Sequence, residues 1–169
     1  MNPVTSHSQQ EAHYGAEYDY NSESPHLKHP QLYEGLMGRV AGLIDELCEP
    51  GRTIEVLEIG AGDGSVSDRL LALGCDVTGT EMSLDSVESM NSRFDGNDRF
   101  HAVYDPDGSL KVLEGRRFDL VLFASVLHHI PDYLTAIGVA TDEHLRAGGA
   151  LVSVQDPLWY PRMSRLTLR

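Results

Sequence analysis

Apolar residues recur at steps of 4, 4, 3 and 4 through Leu32, Leu36, Val40, Leu43 and Leu47. That spacing lays one apolar stripe along a helix, and Pro50-Gly51 stops it. Ile54 to Ile59 is a near-continuous run of β-branched residues and leucine, as expected of a parallel strand covered on both faces. Val66, Leu70 and Leu73 then mark a second helix, ended by Gly74. Cys75 to Thr80 predicts a second strand, and Ser83 is placed to cap a helix carrying Val87 and Met90. Arg99 to Tyr104 predicts a third strand. Asp105-Pro-Asp-Gly108 predicts a turn, followed by a weak helix reaching Glu114. Phe118 to Ala124 is a strongly apolar fourth strand. Pro131 suits the first turn of a helix with Leu134, Ile137, Thr141 and Leu145 on one face. Gly148-Gly149 ends it, and Ala150 to Gln155 completes a fifth strand. Strands alternating with helices predict an α/β fold, a doubly wound parallel sheet with right-handed crossovers.

Composition narrows the class without naming a chemistry. The 169 residues are 41% apolar and 23% charged, which suits one soluble domain with its own core. A formal charge of −13 disfavours nucleic acid as a partner, because phosphate backbones demand a concentrated basic surface. Cys48 and Cys75 are too few and too isolated for a metal site or a disulfide framework, and both are expected to be buried small apolar residues. No apolar stretch is long enough to span a membrane. The expected location is therefore the cytoplasm. Residues 1–29 form a polar segment, with Tyr14, Tyr18 and Tyr20 as its main apolar content. It reads as a candidate lid over a ligand, and the domain proper as 30–169.

The chemistry gathers where strands end. Val56-Leu-Glu-Ile-Gly60-Ala-Gly62-Asp-Gly64 is a strand running into a turn with three glycines at alternate positions, followed by a helix. Glycine there lets a ligand approach the main chain without meeting a Cβ. The turn is also expected to leave N–H groups at the helix start free to face a polar or anionic group. The spacing G-x-G-x-G lacks the third glycine of the dinucleotide pattern G-x-G-x-x-G, since position 65 is Ser. It points to S-adenosylmethionine over NAD. Glu81 closes the second strand, where a carboxylate can accept from both ribose hydroxyls of an adenosine. Asp105 follows the third strand and can accept from the adenine amine, or serve only its turn. His128 and His129 emerge after the fourth strand, where an imidazole can take a proton near neutral pH. One of the pair is expected to hold the loop by a hydrogen bond.

Residues 30 to 157 resemble the class I S-adenosylmethionine-dependent methyltransferases. The likeness rests on the glycine turn, on Gly79-Thr-Glu-Met-Ser83, on Phe118-Asp-Leu-Val-Leu-Phe-Ala-Ser-Val-Leu-His-His-Ile-Pro131, and on Leu145-Arg-Ala-Gly-Gly-Ala-Leu-Val152. The resemblance implies a Rossmann-like sheet of order 3-2-1-4-5. It implies that Gly60, Ala61 and Gly62 line the methionine part of the donor, with Glu58 bracing the turn. Glu81 would hold the ribose, Met82 would pack on adenine, and Asp105 would meet the adenine amine. Ala124 and Ser125 would border the sulfonium, while Tyr20 and Lys28 would close over the methionine carboxylate.

The implied reaction is methyl transfer to an oxygen or nitrogen of a small metabolite, leaving S-adenosylhomocysteine, with His128 or His129 as base. An NAD-dependent oxidoreductase and a non-catalytic module acting with a partner are the alternatives. The family's sheet usually has seven strands ending in an antiparallel hairpin, whereas this chain stops about a dozen residues past the fifth. The expectation is a truncated domain, or an exposed edge strand covered by another copy.

Overall fold

The computed structural model describes residues 29–156. Helix α1 (Pro30–Leu47) precedes β1 (Glu55–Ile59), α2 (Ser65–Ala72), β2 (Asp76–Glu81), α3 (Leu84–Arg93) and β3 (Phe100–Tyr104). A 3-10 turn (Lys111–Leu113), β4 (Phe118–Ala124), a second 3-10 turn (Leu127–His129), α4 (Tyr133–His144) and β5 (Leu145–Val154) follow. The five strands pair in parallel in the order β3-β2-β1-β4-β5, as the resemblance implies. All their carboxyl ends therefore share one rim, and the order reverses between β1 and β4 at that rim. Among the described residues no helix is long and apolar enough to cross a membrane.

Two apolar layers clamp the sheet. On one face, Met37, Val40 and Ile44 of α1 join Val66 and Leu70 of α2, Met90 of α3, and Val56, Leu120 and Leu122 of the strands. On the other, Leu57, Val121 and Phe123 meet Leu110, Leu113 and Ala140. Every residue from Phe118 to Phe123 is buried, which explains why β4 is apolar at every position but Asp119.

Several helical faces differ from expectation. The buried stripe of α1 is Met37, Val40 and Ile44, which shares Val40 with the predicted one and otherwise lies one position round from it, and Leu32 lies exposed. Leucines flank this stripe on one side, so step counting caught its edge. Leu73 and Leu134 are exposed as well. Helix α4 turns Ala140 and His144 inward, the imidazole of His144 meeting the Arg116 carbonyl at 3.0 Å through Nδ1. Pro131 stands just outside α4, whose cap is Asp132, accepting from the Thr135 N–H. Ser83 caps α3 as predicted. Cys75 is buried, but Cys48 is exposed beyond the end of α1.

The largest difference lies at the start of β5. Gly148-Gly149 does not end a helix. Strand β5 begins already at Leu145, paired with Phe118, and the next pair is Leu120 with Ala150. Residues 146–149 thus bulge opposite Asp119 alone. Gly148 has φ +83°, and a Cβ on Gly149 would stand 2.6 Å from the Asp119 carbonyl oxygen.

The bulge carries Arg146 onto Asp119 and Glu55, at 2.9 Å each, and Arg52 also bonds Asp119. The Glu55 N–H adds a bond of 2.9 Å. Burial pushes the Asp119 carboxyl up, yet the Glu55 N–H and the two guanidiniums outweigh it and hold it below its ordinary value. Asp119→Ala takes the carboxylate from Arg52 and from the Glu55 N–H and leaves Arg146 with Glu55 alone. It is expected to lower unfolding free energy by about 2 kcal/mol, read by urea denaturation. A loss within about 0.5 kcal/mol would mean that the bulge holds without its carboxylate.

Candidate functional site

The glycine turn leaves β1 at the carboxyl rim with Gly60, Gly62 and Gly64 all at positive φ (69°, 59° and 78°). Glycine adopts this region without strain. The turn lies against β2, where the Gly60 and Ala61 N–H groups donate to the Thr80 carbonyl at 2.9 and 3.0 Å. Gly79 makes that approach possible, since a Cβ there would stand 3.0 Å from that of Ala61. On its other side, a Cβ on Gly60 would meet Val126 Cγ2 at 2.4 Å. The turn is thus pressed between β2 and the segment that carries the two histidines.

Its N–H groups are more committed than the sequence suggests. Gly62 donates to Glu81 Oε2 at 3.0 Å, Gly64 donates to the Ala61 carbonyl at 2.9 Å, and Ser65 donates to Asp63 Oδ1 at 3.0 Å. The expected nest of free donors for an anion is largely filled by the chain's own acceptors. What the turn offers a ligand is close access to backbone.

Glu58 is buried beneath the turn and accepts from the Ser67 hydroxyl at 2.5 Å. It braces the first turn of α2. Burial, only partly offset by that hydroxyl, pushes its carboxyl up to about 8. Burial, with Glu58 adding to it, also pushes Tyr33 up to about 12.

Glu81 and Asp105 end neighbouring strands, joined by the Asp105 N–H donating to the Glu81 carbonyl at 2.9 Å. Glu81 Oε1 accepts from Met82 N–H at 2.7 Å. Ser83 N–H reaches the same oxygen at 3.3 Å, so of this half-buried carboxylate Oε2, with Gly62 alone, keeps room for another donor. Asp105 is 1% exposed. Its Oδ2 accepts from Leu110 N–H at 2.9 Å, whereas its Oδ1 is buried without a hydrogen-bond partner. Burial raises its pKa. An orphaned buried acceptor at a strand end calls for a donor from outside. Met82 leans toward the same turn, its sulfur 3.6 Å from where a Gly108 Cβ would stand.

Past β4, Ala124 and Ser125 are half-buried at the rim. Ser125 holds φ +57° and donates its N–H to the Val154 carbonyl at 2.9 Å. Leu110 (φ +61°) and Gln155 (φ +62°) share that left-handed conformation, and all three stand in loops leaving strand ends at this rim. His128 Nδ1 lies 2.8 Å from Asp156 Oδ1. The His128 N–H reaches the same oxygen at 3.2 Å, and Ser153 donates its hydroxyl to Asp156 Oδ2 at 2.6 Å. The His128 and His129 rings are 3.9 Å apart at 44°.

The rim therefore brings together Glu58, Gly60, Ala61, Gly62, Glu81, Met82, Asp105, Ala124, Ser125, His128 and His129. Tyr20 and Lys28 lie outside the described residues. Four residues escaped the sequence reading, namely Ser67, Gly79, Val126 and Asp156. Only Gly79 left a sequence signal, a glycine inside a strand, which marks close backbone approach.

A family model described as "Methyltransferase domain" matches residues 57–151, more than half of the chain. The ubiquinone biosynthesis O-methyltransferase of Roseobacter denitrificans is 26% identical over 133 residues, 75% of this chain and 52% of that protein. A probable ribosomal RNA small subunit methyltransferase A of Haloquadratum walsbyi is 35% identical over 87 residues, 50% of this chain and 27% of that protein. The chain thus spans between about a quarter and about half the length of these curated relatives. Among solved structures, a DhpI–SAH complex superposes with a TM-score of 0.62 at 20% identity, over 91% of this chain and 68% of that one. The glycopeptide N-methyltransferase MtfA complexed with S-adenosylmethionine gives 0.55 at 23% identity, over 68% and 52%. These two likenesses are of fold.

Proposed function

The chain belongs to the methyltransferase domain family, and on that premise we propose that it binds S-adenosylmethionine at the carboxyl rim and methylates an oxygen or nitrogen of a small metabolite. The observation that carries the reading is the orphaned Oδ1 of buried Asp105. An exocyclic adenine amine is a donor of the right kind for it. Glu81, one strand away, has acceptor capacity left on Oε2 for a ribose hydroxyl. The Gly60–Gly62 backbone gives the methionine part close access, and Ala124 and Ser125 border the reacting centre. Glu58 holds the first turn of α2 in place beneath.

When bound, the donor supplies a methyl group already activated on a sulfonium. The chain's own work is then to hold donor and acceptor in line and to exclude water. The formal charge of −13 supports a metabolite over ribosomal RNA as acceptor.

Calorimetric titration with S-adenosylhomocysteine and, separately, with NADH tests the reading. Binding of the first and not the second is expected, and the reverse would overturn it. Asp105→Ala should weaken S-adenosylhomocysteine binding about 10-fold or more, the worth of one hydrogen bond to a charged acceptor. Unchanged affinity would remove Asp105 from the site.

A further inference from the structure

Asp156 is a carboxylate at the rim that neither the sequence pattern nor the donor reading employs. It follows β5 by two residues, 28 positions from His128, yet it meets that histidine through both the ring and the main chain. Its side chain is 8% exposed, and that of His128 is 31% exposed. Ser153 fixes the second carboxylate oxygen.

A carboxylate has only lone pairs to offer, so a neutral imidazole facing it through Nδ1 carries its proton there. The Nε2 lone pair is then left for another proton. Nε2 has no hydrogen-bond partner among the described residues. The contact of Val126 with the Gly60 turn places this histidine segment beside the proposed donor site.

We infer that Asp156 is a positioning residue that holds His128 as the Nδ1–H tautomer, making Nε2 the proton acceptor for a hydroxyl-bearing acceptor molecule. This rests on the methyl-transfer reading above and selects oxygen within it. A neutral amine attacks through its own lone pair and can lose its proton to water afterwards. A hydroxyl oxygen gains nucleophilicity by losing its proton as the bond forms. The oxygen's electron pair makes the new O–C bond while the C–S bond breaks and its pair stays on sulfur. The hydroxyl proton passes to Nε2 and from there to water through the partly exposed ring.

The test reads the tautomer first. Nitrogen-15 NMR of the full chain with S-adenosylhomocysteine added should show neutral His128 protonated at Nδ1. Asp156→Ala should move most of the population to Nε2–H. An Nε2–H wild type, or an unchanged tautomer in the variant, overturns the inference, and neither result needs turnover. With S-adenosylmethionine and catechol as probe, Asp156→Ala should reduce kcat about 100-fold while S-adenosylhomocysteine affinity stays within threefold. An equal loss of affinity would make Asp156 a mere loop brace. Faster methylation of benzylamine than of catechol by the wild type would overturn the hydroxyl assignment. Absence of S-adenosylhomocysteine binding in the wild type is a separate failure, that of the donor reading itself.

Discussion

Gly60→Val is expected to weaken S-adenosylhomocysteine binding more than 100-fold and to destabilise the domain by about 3 kcal/mol. Two independent effects add. The residue holds φ +69°, where a β-branched side chain is strained, and even a Cβ would stand 2.4 Å from Val126 Cγ2. The strain acts on the fold; the displaced Val126 pushes the histidine segment away from the turn. Gly60→Ala combined with Val126→Ala separates the two. The pair relieves the collision and keeps the unfavourable φ, so it should regain part of the binding and little of the stability. Calorimetry and urea denaturation read the two quantities. Wild-type affinity in Gly60→Val would sink the assignment of the turn to the donor.

The second large effect is one of pH. Glu58 ionises near 4.5 when unfolded and at about 8 in the folded chain, chiefly through burial. Its folded value is raised, so between these pH values the unfolded chain has released a proton that the folded chain keeps. Its contribution to stability is complete below pH 4.5 and is lost as pH rises toward 8, at up to about 1.4 kcal/mol per pH unit. Glu58→Gln keeps a neutral hydrogen-bonding group beside Ser67 and removes the titration. The variant should match wild type near pH 4 and exceed it by on the order of 3 kcal/mol at pH 8. Denaturation midpoints across that range decide it. Parallel profiles for the two proteins would mean that Glu58 is ionised in its burial site.

The strand positions and the rim carboxylates were legible because both rest on local pattern, whereas the strand order came from the family resemblance. Apart from Glu55, Glu58 and Asp119, β1 and β4 are apolar, since both their faces are covered, while Glu81 ends its strand and Asp105 follows its own directly. The helical faces were less so. In α1 the half-buried leucines Leu36, Leu43 and Leu47 flank Met37, Val40 and Ile44, so periodicity found the border of the stripe. Gly148-Gly149 has the composition of a helix stop. Its role as a bulge depends on Asp119, which pairs across the sheet from another strand. Asp156 was invisible for the same reason, because only the folded β4–β5 pairing brings it to His128. Local chemistry reads from neighbours in sequence, and the missed residues act through neighbours in space.

The three left-handed residues at the carboxyl rim have a thermal consequence. Leu110, Ser125 and Gln155 each store roughly 1 kcal/mol of backbone strain, whereas the opposite rim is tied by the Asp119 cluster. The two ends of one sheet therefore open at different free energies. On warming, the loops beyond β3 and β4 should exchange their amide hydrogens before the strand starts do. A ligand that docks on those loops would slow that exchange first, long before it moves the global melt.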